Sequence, residues 1–457
     1  MDVGFENIQS GFADFDAELE DFRIKKVRKF DRMFMVGGGG SIDTVPFIEN
    51  GIAYFGEANG YVYAVRVENG ETLWRFKTDG GIFGSCPMIN NGKLYIGSYD
   101  YYMYCLDAST GEMLWRFRTG DKVFGSPNVA KGKVYFGSID GYVYALEADT
   151  GSEVWRFRTG EMVGSCPEIW NGRVYIGSHD SNLYCLDAET GKEVWRFRTG
   201  GEIMNCLPFT IKDGILYFGS FDNFLYVINA DTGKELWRFR TGEYGNSGVP
   251  VIHRKTIYFV ARDGILYALT LDGKEIWRYR LSGVSTWQKP QISDKGMYII
   301  SEDGYLYCIG FDGRELNKKR INTVMVPPVL HKDMILVGSW DCNLYAYDLE
   351  GRELWVTPTS TKEEAFFPPP NDSFKLEINK ETHTDDTISE DRYASKRKGE
   401  TVSLSDYHLT SEYSTKSEYK QKSDYDINFV MFENIMEVEG IWLSALKVSK
   451  QPTLMSS

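Results

Sequence analysis

The chain has 457 residues, 46 of them Gly, with 15% aromatic residues and a formal net charge of −14. That charge argues against nucleic acid as a default partner, since duplex binding needs a basic footprint. No apolar run approaches the ~20 residues of a membrane span, and seven cysteines with no Cys-x-x-Cys fit buried thiols in a reducing compartment rather than a disulfide scaffold.

The acidic start, MDVGFENIQSGFADFDAELE, lacks the apolar core of a signal peptide. Taken as the native start, it implies a cytoplasmic protein. Residues 1–30 carry Phe12, Phe15, Leu19 and Phe22 at the spacing of an amphipathic helix. Alternatively, this region closes the domain that follows, with a strand near residues 24–36. Gly37 to Gly40 lacks the Lys-Ser/Thr of a phosphate loop and reads as a connector.

From residue 31 to 357 the chain repeats itself. WRFRTG begins at Trp115, Trp155, Trp195 and Trp237, with variants at Trp74, Trp277 and Trp355. Leu316 is expected at the Trp place of the remaining copy. The successive intervals are 41, 40, 40, 42, 40, 39 and 39 residues, so there are eight copies. Each copy reads as four short strands. In the third, a strand follows Pro127, then KVYFGS, an Asp140-Gly141 turn, YVYALE, an ADTG turn and EVWRFRT. The alternation has period two throughout, and Asp-Gly wants the positive φ of a tight hairpin. A single four-stranded sheet buries too little surface alone, so neighbouring copies must cover its faces. The prediction is all-β: an eight-bladed β-propeller of four-stranded antiparallel blades. The Arg pairs of WRFRT fall on the outer strand, where charge discourages edge pairing and Glu153 and Glu193 are at hand; a belt for acidic partners is the alternative.

The strings ASTGEMLW, ADTGSEVW, AETGKEVW and ADTGKELW resemble the tryptophan-docking motif of the pyrroloquinoline-quinone-type (PQQ) repeat propellers. That family includes quinoprotein alcohol dehydrogenases and the propeller lipoprotein of the bacterial outer-membrane assembly machinery. The resemblance implies eight blades over residues 31–357, with Trp74, Trp115, Trp155, Trp195, Trp237, Trp277 and Trp355 each packed on the adjacent blade. It also raises a quinoprotein-type oxidoreductase using PQQ with calcium as an alternative function. The family's adjacent Cys-Cys pair is missing from this sequence.

After Pro358 the composition shifts. Residues 358–457 hold 12 basic and 18 acidic residues and only two Gly. Residues 358–426 read as a polar linker, with Tyr407, Tyr413, Tyr419 and Tyr425 six residues apart in a Ser-Asp/Glu-Tyr repeat. Such a stretch reads as a largely disordered tail, or as an extended docking strip with the four Tyr on one side. Residues 427–457 are apolar again, but Glu433, Glu437 and Glu439 exclude a span.

Chemistry is sparse. The recurring Asp100, Asp140, Asp180, Asp222, Asp263, Asp303 and Asp341 are turn formers. His179 holds the variable place of one such turn and is expected to be exposed. No HExxH or close metal-ligand cluster exists, so neither a catalytic set nor a metal site is assigned. Cys86 and Cys166 directly precede the prolines that open their blades and Cys206 lies two before its own, near the axis, as small packing residues, with a thiol ring binding a metal as the alternative. The loops entering the last four blades depart from the GS-Pro consensus, reading MNCLP, YGNSGVP, STWQKP and VMVPP. Departure from a copy's own consensus points to a demand other than packing. A ligand or partner groove at the channel mouth is therefore expected at Asn205, Asn246, Trp287, Gln288 and Lys289. The leading functional reading is a non-catalytic cytoplasmic scaffold for protein-protein interaction, using the propeller face or the tail, with a small-molecule sensor as a further alternative.

Overall fold

The computed structural model describes residues 40–283, 287–321 and 326–359, and the backbone of three short strands elsewhere. Eight four-stranded sheets, each in simple sequential order, make the eight blades. Blade 1 comprises Phe47–Glu49, Ile52–Gly56, Tyr61–Arg66 and Thr72–Lys77. Blade 2 begins at Met88, blade 3 at Asn128, blade 4 at Glu168, blade 5 at Thr210, blade 6 at Val251, blade 7 at Gln291 and blade 8 at Val329, where Glu353–Pro358 is the last outer strand. All pairings within blades are antiparallel, as in Tyr135↔Ala145 and Ala145↔Trp155 of blade 3. No helix among the described residues is long and apolar enough to cross a membrane.

The two middle strands of each blade are covered on both faces, so their alternation is apolar with apolar; KVYFG of blade 3 buries four of its five residues. The outer strands alternate instead: EVWRFR sends Trp155 and Phe157 inward and its arginines to water. Between blades 3 and 4, Tyr135, Val143, Trp155, Val163, Val174, Ile176 and Tyr184 form one shared core. Every blade has a bulge between its third and fourth strands, at Ala145/Leu146 in blade 3, which adds twist where the outer strand must turn away.

The tryptophans join blade to blade. Trp74 Nε1 donates to Ala108 O at 3.0 Å, and Trp115 to Ala148 O at 3.1 Å. Trp155, Trp195, Trp237 and Trp277 repeat the bond to Ala188, Asp231, Leu271 and Phe311. Each ring lies over a glycine of the receiving turn. A Cβ on Gly111, at φ +76°, would come within 2.6 Å of the Trp74 ring. In blade 7 the equivalent residue is Asn317 and not Leu316. Asn317 pairs with Cys308 as Trp277 pairs with Ala268, and its Nδ2 donates to Glu350 O at 3.0 Å. Leu316 is 54% exposed. Counting from the tryptophans missed this because two intervals of 39 conceal one of 40 and one of 38.

The outer arginines are engaged locally. Arg156, Arg196, Arg238 and Arg278 pair with Glu153, Glu193, Glu235 and Glu275 three residues earlier, and Arg196 and Arg278 also lie over Tyr184 and Tyr267. The turn aspartates act as clips. Asp140 accepts from Tyr142 N through Oδ1, and from the Tyr144 hydroxyl and Gly120 N through Oδ2. One carboxylate thus ties turn, strand and entering loop together.

The ring closes without strand exchange. Trp355 of blade 8 donates to Val67 O at 3.0 Å in blade 1. Residues 41–45 insert at the seam: Ile42 N donates to Ser339 O, and Ala58 N to Ser41 O. Ile42, Phe55, Val65, Leu336 and Leu344 share a core across it. Two carboxyls are buried there. Asp43 accepts from Ser41 Oγ at 2.9 Å and Trp340 Nε1 at 2.6 Å, and burial pushes its pKa up to about 7. Glu57 stands where six of the other seven blades have Ser and blade 6 has Ala261, and it is fully buried. Burial pushes it up to about 8, against the polar groups of Thr359, Asn59 and Tyr63 and the charge of Lys77.

A second unit comprises Met1–Met35 and Phe366–Ser457. In it Asp2–Gly4 pairs antiparallel with Lys375–Ile378, which pairs with Leu446–Val448. The expected helix or closing strand of residues 1–36, the tyrosine strip and tail disorder, and the role of residues 427–457 lie outside the described residues.

Candidate channel site

Each entering loop runs from an outer strand to the next blade's inner strand. The loops entering blades 2 to 6 are held at their start by a threonine, as when Thr159 Oγ1 donates to Gly141 O at 2.9 Å, and by the clip aspartate; Leu281 and Ile321 take the threonine's place before blades 7 and 8. The loops converge on the axis. Phe124 enters blade 3 and Trp287 enters blade 7, opposite members of an eight-membered ring, yet their ring centroids are 6.1 Å apart. They meet across the centre of the channel.

Four of the five residues expected to line a groove are buried instead: Asn205 is 4% exposed, Asn246 0%, Trp287 6% and Gln288 1%. Trp287 N donates to Ser247 Oγ, beside Asn246, and Val249 N donates to Gln288 O at 3.0 Å. Asn246 Oδ1 accepts from Gly248 N at 3.1 Å. Three polar atoms in this set lack a hydrogen-bond partner: Trp287 Nε1, Asn246 Nδ2 and Asn205 Oδ1. Trp287 also has φ +50°, the left-handed region that a bulky L residue rarely adopts. Most other non-glycine residues with positive φ, Asn91, Lys131 and Asn171 among them, sit in hairpin turns.

The fifth residue, Lys289, is half-buried and acts on Glu168, which opens blade 4. Burial raises Glu168 to about 7 against the attraction of Lys289. Burial likewise lowers Lys289, against Glu168 and Cys166. These groups sit on blades three apart, so both face the channel. Phe124 and Glu168 escaped the sequence reading because their loops keep the Ser-Pro and Cys-Pro consensus forms.

The cysteines near the prolines do converge. Ser126 Oγ accepts from Cys86 N at 2.8 Å and donates to Cys206 O at 2.7 Å, while Cys166 N donates to Asn205 O at 2.9 Å. A hydrogen bond from the Cys206 thiol holds Cys86 low, and Cys206 is raised by the same bond and by burial. All seven cysteines are unbridged and buried. Among the described residues no three of His, Cys, Asp and Glu gather in a metal-holding group.

His179 is not an exposed turn residue. It is 5% exposed, with Nδ1 3.0 Å from Glu202 Oε2 and Nε2 3.2 Å from Met204 Sδ. Burial opposes ionisation of Glu202, but the bond to His179, its charge and that of Arg262 outweigh it and hold the carboxyl below its usual range. A flat quinone needs open space between facing groups. Here Phe124 and Trp287 occupy the axis and no two cysteines are adjacent, so these residues do not fit PQQ.

A family model described as outer membrane protein assembly factor BamB matches residues 58–167 and 140–357. The crystal structure of BamB from Moraxella catarrhalis is similar over 68% of this chain and 92% of that one, with a TM-score of 0.56 and 18% identity. The computationally designed Ika8 protein is similar over 69% of this chain and 98% of its own, with a TM-score of 0.60 and 16% identity. At these identities the likeness is one of fold. Comparison with curated proteins finds no match.

Proposed function

Because the chain belongs to the BamB-like family of repeat propellers, we propose that its propeller is a non-catalytic scaffold that binds a protein partner on the loop face around Trp287. The carrying observation is Trp287 itself: buried, at φ +50°, with Nε1 unbonded. Strain and an orphaned donor together cost a few kcal/mol. Such a cost persists where an interaction outside the resting fold offsets it. The regular positions of the blades are consumed by packing, clips and edge pairing, so recognition falls to loops that differ from blade to blade. Seven unbridged cysteines fit a reducing compartment such as the cytoplasm.

The test is quantitative pull-down from native extract with the full chain and with Trp287→Ala/Lys289→Ala, matched for thermal stability. The double variant is expected to lose its specific partners at least ~10-fold, the loss of about 1.4 kcal/mol or more. Equal recovery of every partner would sink the reading.

A further inference from the structure

Blade 5 sends one residue past its neighbours. Cys206 belongs to the loop entering blade 5, yet its carbonyl accepts from Ser126 Oγ of blade 3 at 2.7 Å, and the same hydroxyl accepts from Cys86 N of blade 2 at 2.8 Å. One serine thus holds the backbones of Cys86 and Cys206 side by side, although they lie 120 positions apart in the chain. Their side chains meet as well, with the Cys206 thiol donating to Cys86 Sγ. Cys86 Sγ also accepts from Val45 N at 3.2 Å. Two donors aimed at one sulfur favour its thiolate. Cys86 is accordingly held below the usual thiol range, first by the Cys206 thiol and then by Val45 N and Ser126, against burial. Burial instead raises Cys105, Cys166, Cys185 and Cys308. Cys86 keeps 6% of its surface, against 2% for Cys206 and 1% for Cys166, so the thiol that ionises most readily is also the most open of the three at the axis. Packing does not require sulfur here, since blade 3 holds Ser126 at the place of Cys86 and Cys166.

We propose that Cys86 and Cys206 are a peroxide-sensitive pair: hydrogen peroxide oxidises Cys86, and Cys206 resolves it into a disulfide across the channel. The Cys86 thiolate attacks one peroxide oxygen, the O–O bond breaks, and the departing hydroxide leaves as water with the proton that the thiol gave up. Cys86 is then a sulfenic acid. The Cys206 sulfur attacks the Cys86 sulfur, the S–O bond breaks, and hydroxide leaves as a second water with the Cys206 proton. Two thiols lose two electrons and two protons, and one peroxide becomes two waters. Peroxide is barely larger than water and needs only the opening that Cys86 retains, whereas the resolving step needs no entry because the two sulfurs are already in contact. Val45 N and Ser126 are the positioning groups. The bridge joins blades three apart in the ring, where only loops meet. In a reducing compartment the pair rests as thiols, and oxidation is the signal. This reading does not depend on the role proposed for Trp287.

The experiment exposes the reduced, folded full chain to hydrogen peroxide, then unfolds it, alkylates the remaining thiols and maps the peptides by mass spectrometry. Of the seven cysteines, the wild type is expected to show Cys86 and Cys206 in one linked peptide, released by dithiothreitol, and the others alkylated. The same treatment in urea is the control, because a pairing set by the folded axis loses its preference there. Cys206→Ser should stop Cys86 at the sulfenic acid, which excess peroxide carries on to the sulfinic acid, a gain of one and then two oxygens. Cys86→Ser should slow the loss of thiols to peroxide at least ~10-fold, while Cys166→Ser should leave the rate of Cys86–Cys206 linkage within about 2-fold of the wild type. The proposal is overturned if the folded wild type keeps both thiols under peroxide that oxidises the unfolded chain, if Cys86 pairs with Cys166 or with a second chain, or if the Cys86–Cys206 link is no more frequent in the folded protein than in urea. The peptide map of the wild type decides the matter even if a variant fails to fold.

Discussion

Replacing Glu57 by Gln probes the seam that closes the ring. Glu57 is fully buried between blades 8 and 1 and titrates at about 8, against 4.5 for an ordinary glutamate. Its folded pKa is raised, so the folded chain keeps a proton that the unfolded chain releases. Stability is therefore highest below the unfolded pKa and falls as pH rises toward 8. At about 1.4 kcal/mol per unit, the proton costs the folded state about 1 kcal/mol at pH 5, about 3 at pH 7 and about 4 at pH 8. Gln keeps the shape and cannot ionise, so E57Q should be the more stable protein by a margin that widens over that range. Asp43, raised to about 7, and Glu168, also about 7, act in the same direction. The variant should therefore flatten the pH dependence by one proton without abolishing it. Urea unfolding at pH 5, 6, 7 and 8, followed by tryptophan fluorescence, measures both slopes. An E57Q slope equal to that of the wild type, or a variant less stable at pH 8, would refute the reasoning.

Asn317→Leu removes the bond to Glu350 O and should cost about 1 kcal/mol, whereas Leu316→Ala, at an exposed site, should change stability by under about 0.5 kcal/mol; thermal melts of the two variants decide which residue stands in the Trp place. Gly111→Ala should cost well over the ~1 kcal/mol expected at Gly92, because both have positive φ but only Gly111 faces an indole, while nothing lies within 4 Å of Gly92. Equal losses in denaturant titration would show that the ring over Gly111 yields freely. Trp155→Ala, which empties the most buried of the repeat tryptophans and leaves Ala188 O with only its bond from the Tyr135 hydroxyl, should cost about 3–5 kcal/mol by calorimetry, and a loss under 1 kcal/mol would remove the indole from the account of blade-to-blade cohesion.

The architecture was legible in the chain because its signals are local and copied eightfold. Period-two alternation, Asp-Gly turns and an indole about every 40 residues recur wherever a blade must cover the next. Where a copy lost its marker, as at Asn317, counting alone slipped by one residue and only the strand register corrected it. The departures from consensus pointed to Trp287 and its neighbours, yet not to their state: a groove was expected and a filled axis was found.

That difference has a physical cause. Which residues form strands, turns and edges follows from nearest neighbours, and the amino-acid sequence by itself determined the blades, their number and their order. What lies at the axis follows from closure, which brings together residues as far as 80 and 163 positions apart, as with Cys206 and Ser126 or Trp287 and Phe124. The same closure buried Asp43 and Glu57 and turned His179 from a turn residue into the partner of Met204. Burial and charge pairing depend on what the rest of the ring places opposite a side chain, and only the tertiary structure decided that.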